Sequence, residues 1–320
     1  MRVQGLKKIV ISGNSFLRDF SIGIQLLPII KKYSENTEIH WIGSQEQSSI
    51  VEYIPLIQSF TTFDNVNEST FDETGAVILL SENNDICKMI RDLKIPLRIG
   101  GKTSWRYNRR LTDVINTDNV SSLIEAYYLL LSPLEITMDQ CFTSKDIIDV
   151  PVQTFRGVIK KDLNNLLFYP YRENAHRAWP GIRYFELIDT LPKYEHNYII
   201  GGFEDEGKAL KFTSPELFRA PSVKDYTEIE DLEEGLALIG KSNLLITYNT
   251  DIAHFAYAMG KDVLVVSSSA ETFYLHNDIR KVITPDASCI KCVGDKPCEC
   301  LKKMSIEEVQ EEVNQTFHSN

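Results

Sequence analysis

Residues 244–260 read LLITYNTDIAHFAYAMG. Leu244–Thr247 is a short apolar run that reads as a buried parallel strand. It breaks at the polar turn Tyr248-Asn249-Thr250-Asp251. A helix rich in small residues follows, with His254 in its first turn and Gly260 at its end. Strand, polar turn and helix N-terminus bring unpaired backbone N–H groups and the positive end of a helix dipole to one place, which suits an anion. In open α/β sheets ligands settle at the carboxyl ends of strands, where this turn falls. An ordinary βα connection capped by Thr250 or Asp251 has the same local pattern, so the stretch alone leaves both readings open.

The same alternation recurs along the chain. Lys8–Ser12 (KIVIS) is a β-branched strand, Gly13-Asn14-Ser15 a turn, and Asp19–Lys32 carries apolar residues at helical spacing. Glu38–Ile42, Ala76–Leu80 and Ile95–Ile99 are predicted strands, and Val120–Leu131 a predicted helix. Polar residues and Pro151 interrupt the pattern over Asp146–Leu163, which reads as a linker. Beyond it, Leu166–Tyr169, Tyr198–Ile200 and Val263–Val266 are predicted strands. Trp179–Thr190, Leu232–Gly240 and Ile306–Phe317 are predicted helices, the last capped by Ser305. Strands alternating with helices indicate α/β architecture with parallel sheets, here in two similar halves, residues 1–155 and 156–320, with a cleft between them.

The 320 residues suffice for two ordinary domains, and 43% hydrophobic with 25% charged residues is globular composition. A net charge of -11 argues against a general nucleic-acid binder. No apolar run approaches a bilayer-spanning length, and Met1–Lys8 lacks a signal-peptide core. The expectation is a cytoplasmic protein whose contact with any membrane is peripheral. Cys87 and Cys141 are isolated and read as small buried apolar residues. Cys289, Cys292, Cys298 and Cys300 crowd one loop. In a reducing compartment, four such thiols could hold structural zinc or iron, or stay free.

Two further segments carry candidate chemistry. Asp19, just beyond the first strand, could take a proton from an incoming hydroxyl, or simply cap a helix. In Asn174–Pro180 (NAHRAWP), Arg177 is a permanent charge with a fork suited to a diphosphate, or a solvated surface residue. Within the opening stretch, Thr250 and the N–H groups after it suit phosphate oxygens, Asn249 a ribose or phosphate, and His254 either a sugar contact or helix packing. The basic run Lys102, Arg106, Arg109 and Arg110 could approach an anionic glycolipid, or form a solvated helix face.

Taken in order, these segments resemble glycosyltransferase family 9, the ADP-heptose:lipopolysaccharide heptosyltransferases. KIVISGNSFLRDFSIGIQLLPIIKKY is similar to the family's opening strand, its S-x-L-G-D turn and the helix after it. EIHWIG resembles the second strand, and LKIPLRIGG the L-x-x-x-x-R-I-G segment. LLFYPYRENAHRAWPGIRYFELID is similar to the strand, S-x-x-K-x-W-P turn and helix of the second domain. The opening stretch resembles D-T-G-P-x-H-x-A-x-A-x-G, and the late cysteines followed by CLKKMSIEEV also have family parallels.

The resemblance implies a GT-B fold, two Rossmann-like domains facing across a cleft. It implies inverting, metal-independent transfer of a heptose from ADP-heptose to a lipopolysaccharide-core or other surface-glycan acceptor at the inner membrane. Asp19 falls on the family's catalytic aspartate and Arg177 on the lysine that contacts the donor diphosphate. Asn174, Asn249, Thr250, Asp251 and His254 fall on donor-side positions. Transfer of another nucleotide sugar, a protein acceptor, or a catalytically silent binding protein are the alternatives. Three departures stand out: Arg18 replaces a glycine, Asn249 an aspartate, and Asp251 a glycine. A carboxylate about 4 Å from a phosphate charge is repelled by roughly 4 kcal/mol near a protein surface. Asp251 is therefore expected to turn away, to pair with a cation such as Arg177, or to mark a different donor.

Overall fold

The computed structural model describes residues 2–159, 163–171, 179–192, 195–220, 222–248, 251–267, 279–283 and 299–318. The chain divides between Asp149 and Val150, a few residues before the sequence-based boundary. The reason is packing: Phe155 meets Tyr226 edge-on at 5.0 Å, so the segment after Val150 belongs to the second unit.

In the first unit, β1 (Lys8–Ser12), β2 (Glu38–Gly43), β3 (Ser59–Thr62), β4 (Thr74–Leu79), β5 (Leu97–Gly101) and β6 (Asp113–Ile115) form one sheet. Its order is β3-β2-β1-β4-β5-β6, and every pairing is parallel. The helices are α1 (Leu17–Gly23), α2 (Leu26–Tyr33), α3 (Gln45–Val51), α4 (Asn84–Asp92), α5 (Trp105–Asn108) and α6 (Leu123–Leu129). The single helix expected over Asp19–Lys32 is two. Pro28 has no N–H for the Ile24 carbonyl, which instead accepts from Leu27 N at 3.0 Å. Residues of α4 and α5 pack with Val10, Ile42, Val77 and Leu79 on one sheet face. Between β3 and β4 there is no α-helix, only the 3₁₀ turns Phe63–Asn65 and Glu68–Phe71.

In the second unit, β7 (Asn164–Tyr169), β8 (His196–Phe203), β9 (Val223–Ile229), β10 (Leu244–Thr247), β11 (Asp262–Ser267) and β12 (Arg280–Ile283) repeat the topology. The order β12-β11-β10-β7-β8-β9 is the first sheet's order read from its other end, again all parallel. The helices are α7 (Gly181–Thr190), α8 (Glu204–Thr213), α9 (Leu232–Gly240), α10 (Asp251–Ala258), α11 (Glu299–Lys302) and α12 (Ile306–His318). Phe168, Tyr198, Ile246 and Leu264 of the sheet share a core with Trp179, Leu187, Val309 and Val313. Ser305 caps α12, accepting from Glu308 N at 3.3 Å. α10 is followed by Gly260 at φ 75°, a left-handed position that glycine occupies without strain.

The strands that sequence reasoning did not find, β3, β6, β9 and β12, are the four sheet edges. Edge strands need less burial, and SFTT or VKDYTEI lacks the continuous apolar run that exposes an interior strand.

Candidate active site

Each sheet reverses its strand order once, between β1 and β4 in the first unit and between β7 and β10 in the second. Loops leaving the carboxyl ends of strands at such a reversal diverge and leave a crevice for ligands.

In the first unit the loop after β1 is held from several sides. Gly13 N donates to Ile42 O at 2.9 Å, Ser81 Oγ to Gly13 O at 3.3 Å, and Gln47 Nε2 to Asn14 O at 2.6 Å. A Cβ on Gly13 would lie 2.9 Å from the Trp41 ring, so the close approach of that indole requires glycine. This turn leads into α1, where Asp19 is 8% exposed. The residue at the N-cap is Phe16, so Asp19 sits inside the first turn and does not cap it. Its two oxygens have separate donors: Asn14 Nδ2 at 2.7 Å on Oδ2, and Arg18 Nε at 3.2 Å on Oδ1. Arg18, the departure from glycine, thus lies against the carboxylate it precedes.

In the second unit β7 and β10 are neighbours with Tyr169 opposite Thr247, and Thr247 Oγ1 donates to Tyr169 O at 2.9 Å. Asn174 and Arg177 follow β7, and Asn249 and Thr250 follow β10, but all four lie outside the described residues. Asp251 opens α10 and is half-buried. His254 has 0% exposure within a helix buried from Ile252 to Ala258.

The structure adds a pair that the sequence did not single out. Tyr169 Oη donates to Glu206 Oε2 in a very short hydrogen bond, and the same oxygen accepts from Phe203 N at 3.1 Å. Burial pushes the Tyr169 phenol well above its usual range, aided by the charges of Glu206 and Asp251. Burial likewise raises the Glu206 carboxyl, against the two hydrogen bonds that favour its ionised form. The available signal was Gly201-Gly202 at a strand end followed by an acidic first helical turn.

Elsewhere, Trp105 is 71% exposed at the start of α5, with the Arg109 guanidinium 4.8 Å from its ring centre. Arg110 is engaged by Asn84 Oδ1 at 2.8 Å, and Lys102 lies 3.9 Å from Asp118. Cys289, Cys292 and Cys298 lie outside the described residues, as does the side chain of Cys300. Among the described residues no group of three or more His, Cys, Asp or Glu gathers as a metal site. Among them, too, no helix is long and apolar enough to cross a membrane.

No protein-family profile matches the sequence, and no curated protein matches it. Solved structures do. The glycosyl transferase family 9 protein from Veillonella parvula superposes with a TM-score of 0.81 at 16% identity, covering 100% of this chain and 99% of that one. The ADP-heptose lps heptosyltransferase II of E. coli gives 0.76 at 14% identity, with coverage of 98% and 99%. E. coli heptosyltransferase WaaC with ADP gives 0.71 at 12% identity, with coverage of 97% and 99%. The chain has the GT-B fold. In GT-B terms, Asp19 stands at the switch point of the N-terminal Rossmann-like domain. The Tyr169–Glu206 pair and the start of α10 adjoin that of the C-terminal one.

Proposed function

We propose that this GT-B protein is an inverting glycosyltransferase that moves a heptose from ADP-heptose to a lipopolysaccharide-core or other surface-glycan acceptor. The observation that carries the reading is Asp19, a buried carboxylate oriented through both oxygens at the switch point of the first sheet. Full-length likeness to structures described as heptosyltransferases supports it.

Asp19 takes the proton of the acceptor hydroxyl as that oxygen attacks the anomeric carbon opposite the leaving group. The bond from the anomeric carbon to the diphosphate oxygen breaks, and ADP departs with the electron pair. Arg177, Thr250 and the N-terminus of α10 stabilise the developing diphosphate charge, a role that preorganised donors fill without a divalent cation. Asn174 and Asn249 orient the donor, Asp251 pairs with a cation, and His254 backs the turn from within α10. The acceptor arrives from a glycolipid surface that the exposed Trp105 and its basic neighbours touch peripherally. The four late cysteines supply a thiolate set for structural zinc or iron, which elemental analysis of the purified protein tests.

A screen of sugar nucleotides by mass spectrometry tests the donor. ADP-heptose consumption that disappears in Asp19→Asn, with donor binding retained, is the expected result. No binding of ADP-heptose overturns this donor, and turnover untouched by Asp19→Asn overturns the base. A second reading, a silent binding protein, is favoured by Arg18 on the Asp19 carboxylate. Donor binding with no turnover on any acceptor would select it.

A further inference from the structure

A cavity of about 600 Å³ lies within the N-terminal domain, lined in part by Lys8, His40, Ser59, Thr61, Asn67 and Thr70. Its origin is topological. The crossover from β3 to β4 is made by 3₁₀ turns, so the sheet face beside β2 and β3 lacks the cover that α4 and α5 give its other part. Along that face the apolar Val10, Ile42 and Val77 give way to Lys8, His40, Ser59 and Thr61. Volumes of about 300–1,000 Å³ are those of ligand pockets.

The chemistry of the lining is specific. Lys8 is its single formal charge, and that ammonium already donates to Thr70 O at 2.9 Å and Asp72 O at 3.2 Å. The remaining polar lining is hydroxyl, carboxamide and one imidazole. His40 is 6% exposed, its Nδ1 lies 2.5 Å from Ser59 Oγ, and its Nε2 is buried with no hydrogen-bond partner among the described residues. Burial, reinforced by Lys8, holds the ring pKa down to about 4, so it is a neutral donor-acceptor at neutral pH. An anion would meet a single ammonium, two of whose hydrogens are already given to backbone carbonyls. Closely spaced neutral donors and acceptors match a ligand that presents hydroxyl groups.

We infer that this groove beside β2 and β3 binds a neutral oligosaccharide, with His40, Ser48, Thr61 and Asn67 meeting its hydroxyls. The inference goes beyond the transferase reading and stands whether or not the protein turns over a donor. α3 nonetheless connects the two places, since Gln45 and Ser48 line the groove while Gln47 holds the Asn14 turn.

The test is a titration of ¹⁵N-histidine-labelled full-length protein with maltopentaose, cellopentaose, mannopentaose and chitopentaose, and separately with inorganic phosphate. The expected result is a saturable shift of the His40 ring signals with at least one pentasaccharide. Affinity should weaken about five-fold in Thr61→Val and in Ser48→Ala, the loss of one neutral hydrogen bond each. Asp19→Asn should leave the shift intact. No shift with any pentasaccharide, a shift with phosphate only, or an affinity that neither groove variant weakens overturns the inference. Failure of ADP-heptose to bind bears only on the transferase reading.

Discussion

Acidification should unlock the N-terminal domain through His40. The ring has an ordinary pKa of 6.5 and is held down to about 4 by burial and by Lys8. In the native state it stays neutral, while in the unfolded chain it gains a proton as pH falls through 6.5. Stability from the depressed pKa is therefore complete above about pH 6.5, declines as pH drops toward 4, and declines no further below that. A fall from 6.5 to about 4, at about 1.36 kcal/mol per pH unit, corresponds to roughly 3 kcal/mol. That is a large share of the 5–15 kcal/mol typical of a domain. The assay is urea unfolding between pH 7 and 4 in a Trp179→Phe background, where Trp41 and Trp105 both report on the first domain. His40→Gln in the same background removes the titration and keeps an amide for Ser59. The stability difference between the two proteins should shrink or reverse by about 3 kcal/mol from pH 7 to 4. A difference that stays flat, or that grows toward acid, refutes the argument.

Asn14→Ala removes the 2.7 Å donor from Asp19 and, under the transferase reading, should lower kcat about ten-fold with donor KM unchanged. Steady-state kinetics against each substrate separates positioning from binding. Gly207→Ala would drive a methyl into the Thr227 carbonyl and should cost about 1–3 kcal/mol, read from a thermal melt of the second domain. Cys87 is buried and Cys141, against the sequence expectation, only partly so, yet burial pushes both thiols up to about 11. Brief iodoacetamide treatment at pH 8 should leave both unlabelled in peptide maps of native protein, and labelled after denaturation.

Interior strands were legible because they are covered on two faces and must be apolar throughout, as in Ile9, Val10 and Ile11. Asp19 was legible because its place after the first strand is local. Its partners were only partly so. Asn14 and Arg18 are near in sequence, but which oxygen each meets depends on a turn held by Trp41 and Gln47 from the next βα unit. Glu206 had a local signal, but its meeting with Tyr169 had none, since the two are 37 positions apart and meet only because β7 and β8 are neighbours.

The sequence by itself determined the parallel α/β alternation in two halves and the strand ends at which polar residues gather, because burial periodicity is written over a few residues. The tertiary structure alone decided the lateral order of strands, and with it both switch points. It also decided that β3 returns to β4 without a helix, leaving His40 in the wall of a polar groove. Lateral order and cover depend on which distant faces pack together, and no short window of sequence carries that.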